Sequence, residues 1–220
     1  MLKPLIERWL GRPRSTTPTW DLSTYPGNDV PHPGHGQAVT EAQAQQNWAQ
    51  FQATLPERQR VLRDWLVAHG GPDSQALAGL DYARALNAWA KAHWDRLPPF
   101  KRLPPHRPWP ECPRSGPFVV YSLLGDLALS LGEAIRQANG HWRWGLNLDA
   151  VDLADGMHSA RRVVLLAPLT RPRPEAAEVS IDVEASVFPP YQYPDDVGFV
   201  LLTPWAQLAD DAISGRYYDF

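Results

Sequence analysis

The spacing of apolar residues changes period at Asn139-Gly140, and that change locates the core of the fold. Before it, Val120, Leu124, Leu127, Leu131, Ile135 and Ala138 recur at three- and four-residue steps, which predicts a long amphipathic helix beginning near Phe118. After it, residues 141–148 alternate, placing Trp142, Trp144, Leu146 and Leu148 on one face of a strand.

The same reading extends in both directions. Thr40 opens a helix with Gln43 as its capping-box partner, and Ala44, Trp48, Phe51 and Leu55 form its stripe. Pro56 suits the first turn of a second helix, with Val61, Leu62, Trp65 and Leu66 inward and Gly70-Gly71 as its stop. A third is expected from Asp73 or Ser74 to Leu97, its pattern carried by Leu77, Leu80, Leu86, Trp89, Ala90 and His93. Downstream, Val163 to Ala167 reads as a central strand, and Val179, Ile181, Val183 and Ala185 alternate with polar residues as a strand with one wet face. Short connections favour an antiparallel meander, with the helices on one face. Residues 199–202 read equally as strand or helix, and Thr203-Pro204 starts a last helix running to Gly215.

Two stretches break the pattern. Residues 11–36 carry five prolines and little periodicity, the mark of an arm laid over the surface. Residues 97–117 hold eight prolines in 21 positions, too many for helix or central strand, and so form an extended connector. The expected organisation is one α+β domain over 1–220: an irregular arm (1–39), helices (40–97), a Pro-rich strap (98–117), then a helix, an antiparallel sheet and a C-terminal helix (118–220).

Composition narrows the class. Cys112 is the lone cysteine, which excludes an intramolecular disulfide and a multi-cysteine zinc site. The first ten residues interleave Lys3, Glu7 and Arg8 with apolar positions, unlike a signal peptide, and no apolar run is long enough to span a bilayer. A cytoplasmic protein with no membrane partner is expected. Arginine outnumbers lysine 18 to 3, the codon bias of a GC-rich bacterial genome. The net charge of −3 divides into +4 over residues 1–144 and −7 over residues 145–220, so the C-terminal part repels nucleic acid and is either a solvated acidic surface or one suited to a basic protein partner.

Candidate chemistry is sparse. Asp126, Ser130, Glu133 and Gln137 form a polar stripe on the 118–138 helix; Asp126 and Glu133 would serve acid/base work if they lined a cleft, and otherwise face solvent. Gly125 and Gly132, seven apart, indicate a close backbone approach. Asp29, His32 and His35 are possible zinc ligands on a loop without a rigid frame, and Asp149, Asp152, Asp155 and His158 lack the spacing of a calcium loop; no metal and no cofactor are expected. Arg102, Pro105 and Pro108 match a minimal polyproline ligand, an adaptor reading. No phosphate loop, nucleophile elbow or zincin motif occurs.

Leu131-Gly132-Glu133 through Gly140-His141-Trp142, preceded by the helices at 56–65 and 73–89, resembles uncharacterised bacterial proteins in which a helix carrying LGE leads into a tryptophan-bearing strand. Some relatives of that kind are immunity-type proteins of polymorphic or contact-delivered toxins. The resemblance implies a non-enzymatic protein that neutralises a toxin. The acidic half supplies the matching surface, with Asp195, Asp196, Asp210, Asp211, Tyr191, Tyr193, Tyr217 and Tyr218 as expected partner contacts; the alternative is a hydrolase using Asp126 and Glu133.

Overall fold

The computed structural model describes residues 18–98, 108–173, 176–192 and 205–217. Among them the protein is an α+β fold of six α-helices packed on a three-stranded antiparallel sheet. Helix α1 spans Glu41–Ala68, α2 Gly79–His93, α3 Val120–Ala138, α4 Ala150–Ala154, α5 Glu184–Gln192 and α6 Trp205–Ile213. Strands β1 (Arg143–Leu146), β2 (Val163–Arg173) and β3 (Ala176–Ile181) lie in the order β1-β2-β3. Trp144 pairs with Leu165, which pairs in turn with Ile181 across the sheet.

Thr40 and Gln43 cap α1 reciprocally, each side chain taking the other's backbone N–H. The helix then runs through Pro56 instead of restarting there, a difference from the two-helix expectation. Proline removes one backbone hydrogen bond, but the buried row of Ala44, Arg58, Leu62 and Leu66 lies on both sides of the break and keeps the axis continuous. Helix α2 begins later than its apolar pattern implies. Asp73 accepts from the Gln75 N–H and closes a separate turn, and Gly79 at φ +53°, a left-handed conformation that glycine adopts freely, starts the helix afresh.

Helix α3 is the centre of the molecule. Every residue from 120 to 135 is buried, because α1, α2, α5 and α6 all pack against it. Asp126, Ser130 and Glu133 of its polar stripe are therefore buried, contrary to expectation, while Gln137 at the end of the stripe faces solvent as expected. A single apolar cluster extends from Trp20, Leu22 and Tyr25 through α1, α2 and α3 to Ile181, Phe188 and Ala212. In the described part of the irregular N-terminal stretch, Trp20, Leu22 and Tyr25 thus belong to the core: the Trp20 indole stacks on Trp89 and meets Trp65 edge-on.

The sheet departs from the sequence pattern at two ends. Leu148 is 47% exposed and lies beyond β1, and past Ile181, the end of β3, Val183 sits in the turn into α5 and Ala185 in its first turn. The expected segments at 1–10 and 199–204 lie outside the described residues. Trp142 is 2% exposed and donates its indole N–H to the Ala212 carbonyl, joining the strand to α6. Replacing Trp142 with alanine should cost about 3–5 kcal/mol by urea denaturation, as deletion of a buried tryptophan does; a loss below about 1 kcal/mol would contradict this packing.

Candidate functional site

Seven residues on, a helix presents the same face about 10 Å further along its axis. Asp126 and Glu133 stand at that separation on α3 and open into different cavities. The first, of about 110 Å³, is lined by Asp29, Phe51, Arg114, Asp126, Trp144, Arg162 and Glu184 among others. The second, of about 220 Å³, is bounded by Gln59, Arg60, Arg63, Ser130, Glu133 and Gln137 among others. The structure does not bring the two carboxylates into one cleft.

Each is also occupied. The Asp126 carboxylate accepts from Arg58 Nε at 2.9 Å, from Arg58 Nη2, and from the Tyr25 hydroxyl at 2.5 Å. The remaining Arg58 nitrogen donates to the Pro26 carbonyl at 3.0 Å. Burial pushes the Asp126 carboxyl above its ordinary range, opposed by Arg58 and Tyr25. Burial likewise drives the Tyr25 hydroxyl well above its usual value, reinforced by the neighbouring Asp126 charge. Glu133 accepts from Arg136 at 2.8 and 2.9 Å and from the Trp144 indole at 2.6 Å. Burial raises its carboxyl, but those donors outweigh the effect and hold it below the ordinary range.

A second charge cluster, not anticipated from the sequence, lies at the first cavity. Arg114 forks onto Glu184, with both bonds at 2.8 Å, and Arg162 divides its donors between Glu184 and Asp182 at 2.5 Å each. Arg162 lies over the Trp109 ring at 3.9 Å and Arg114 over Phe188 at 5.2 Å. Burial raises the Asp182 carboxyl to about 6, aided by the adjacent Glu184 charge and resisted by Arg162. Burial also raises Glu184, but Arg114 and Arg162 together bring it below the ordinary range.

The two glycines of α3 make room for side chains rather than for a passing backbone. A Cβ on Gly125 would come within 2.7 Å of Arg114 Nη1, and one on Gly132 would overlap the Trp144 ring. The signal for the first pair was present in the sequence, since Arg58 falls four residues before Leu62 on the apolar row of α1. An arginine there requires a buried anion.

The other sequence candidates are dispersed. Asp29 accepts the Arg114 backbone N–H, His32 meets Gln46, and His35 packs edge-on against His158. Asp149 caps α4 by accepting from the Val151 and Asp152 N–H groups. No group of three or more His, Cys, Asp or Glu side chains among the described residues is placed to hold a metal ion.

Of the expected partner contacts, Tyr191 is buried and donates its hydroxyl to the Pro98 carbonyl, so it is a core residue instead of an exposed anchor. Tyr217 lies half-buried, edge-on to Trp142, and Asp210 and Asp211 share Arg216. Tyr193, Asp195, Asp196 and Tyr218 lie outside the described residues, as do Arg102 and Pro105 of the polyproline match.

The chain matches no protein-family model, no curated protein and no solved structure at a significant level. Among the described residues no helix is long and apolar enough to cross a membrane.

Two outcomes check the charge network. Arg58→Met or Asp126→Leu alone should each cost about 3–5 kcal/mol, because an unpaired buried charge remains, while the double variant should cost far less than the sum. Additive losses in urea denaturation would contradict the pairing. The second check is titration of Asp182. Its folded carboxyl titrates at about 6 against 3.8 when unperturbed, so between those values the folded state holds more protons than the unfolded one. Wild type should therefore lose stability relative to Asp182→Asn as pH rises from about 4 to about 6, with no further change above about 7. A pH-independent difference in denaturation midpoints would refute the shift.

Proposed function

We propose that this chain is a non-enzymatic binding protein and, more specifically, an immunity protein that neutralises a basic toxin in the bacterial cytoplasm. The observation that carries the reading is the state of the internal carboxylates. Asp126, Glu133 and Glu184 are each held by two or three fixed donors, and general acid/base work needs a carboxyl free to meet substrate. Polar groups spent in this way position helices. The net negative charge of the C-terminal part supports a basic partner and opposes nucleic acid, since like charge repels the phosphate backbone.

An immunity protein acts by occlusion, so it needs a preformed surface and no turnover. Steering by opposite charge would bring a basic toxin to it quickly, with aromatic and aliphatic contacts then slowing release. The test is co-expression with the product of the adjacent gene, reading both growth and recovery of a stoichiometric complex. Rescue and complex formation are expected, and a folded Glu133→Gln variant should rescue as well as wild type. Absence of rescue and of complex, with turnover by the protein alone that Glu133→Gln abolishes, would establish the hydrolase instead.

A further inference from the structure

Three of the five large apolar side chains that are exposed among the described residues lie in one ten-residue stretch: Leu148 at 47%, Val151 at 47% and Met157 at 49%. They sit on the connection between β1 and β2, a closed loop with α4 at its crown. Isolated exposed apolar residues need no explanation, but three together on one short loop do.

The loop is braced from within. Asn147, itself buried, donates to the Asp152 carboxylate at 2.6 Å and to Ser159 Oγ at 3.1 Å, and its side-chain oxygen accepts the Asp149 N–H. Its backbone closes the neck through bonds with Arg161 and Arg162. At that neck Arg161 holds φ +57°, the one left-handed non-glycine conformation among the described residues. A loop that is cross-linked and strained at its base, yet presents leucine, valine and methionine to water, has the form of a preorganised contact surface.

Charge selects the occupant. Residues 147–160 contain Asp149, Asp152 and Asp155 and no lysine or arginine. The two arginines that follow are engaged elsewhere, Arg161 on the Val39 carbonyl and Arg162 on Asp182 and Glu184. We infer that the 147–161 loop is a docking surface for a protein face in which apolar side chains are flanked by lysine or arginine. The identity of that partner as a toxin rests on the function proposed above; the surface itself does not.

A short leucine–lysine peptide probes the surface directly, with leucine–glutamate and serine–lysine peptides as controls. On the full chain, the leucine–lysine peptide should shift the methyl signals of Met157, Val151 and Leu148 saturably, and more weakly as salt rises. Both controls should bind at least about tenfold more weakly, and Val151→Asp or Asp155→Lys, each at an exposed position and checked for retained fold by near-UV circular dichroism, should weaken binding about tenfold. The inference is overturned by absence of saturable shifts, by equal binding of the leucine–glutamate peptide, or by shifts centred on Val67 or Leu77. Self-association of the chain that Val151→Asp abolishes would also overturn it, in favour of a second copy as occupant. Absence of saturable peptide shifts with toxin rescue intact would refute this surface while leaving the binding function standing. Peptide binding without rescue would support the surface and count against the immunity reading.

Discussion

A carboxylate at the middle of a helix buried on every side must be met by a cation, and Asp126 is met by Arg58. The rest of the N-terminal architecture depends on that meeting. Arg58 belongs to α1, so the pair fixes the register of α1 along α3. Tyr25 and the Pro26 carbonyl complete the shell, which draws an otherwise irregular segment into the core. Such a pair adds little net stability, since removing both charges from water costs about what their attraction returns. What it does is penalise alternatives, because an α1 shifted by one turn would leave two buried charges unmatched.

The Arg114, Glu184, Arg162 and Asp182 cluster imposes the same constraint on the C-terminal half. It joins the end of the proline-rich connector to the residue just before β2, to the turn after β3 and to the first residue of α5. Trp109 and Phe188 lie against the two guanidinium groups, so aromatic faces supply part of the solvation that water would otherwise give. Gly125 follows as a necessity: the Arg114 guanidinium occupies the space of its missing Cβ.

Features that depend on neighbours in the chain were legible in the sequence. The Thr40 and Gln43 cap, the helix ending at Ala138, the central position of β2 and the burial of Trp142 all follow from local spacing. Features that depend on distant partners were not. Asp126, Ser130 and Glu133 read as a wet stripe because their partners, Arg58, Tyr82 and Trp144, come from three other segments. Pro56 read as a boundary because its local cost is visible and the packing that offsets it is tertiary. Leu148 read as inward because strand alternation was extended past the point where Asn147 turns the chain into its loop.

The balance of buried charge then determines what the exterior can do. Arg58, Arg114 and Arg162 face Asp126, Asp182 and Glu184, three cations against three anions, so this interior set contributes no net charge when all are ionised. Within residues 145–220 that set contributes only Arg162 against Asp182 and Glu184, so most of the negative balance there belongs to other residues, the exposed Asp155 and Glu178 among them, and charge at the surface acts on a partner over about one Debye length, roughly 8–10 Å. On the 147–161 loop that charge borders apolar side chains held by a buried asparagine. Long-range attraction and short-range apolar contact thus occupy the same rigid element. Folding the loop this way leaves Leu148, Val151 and Met157 in water, an arrangement that internal packing does not reward and that burial against a partner would.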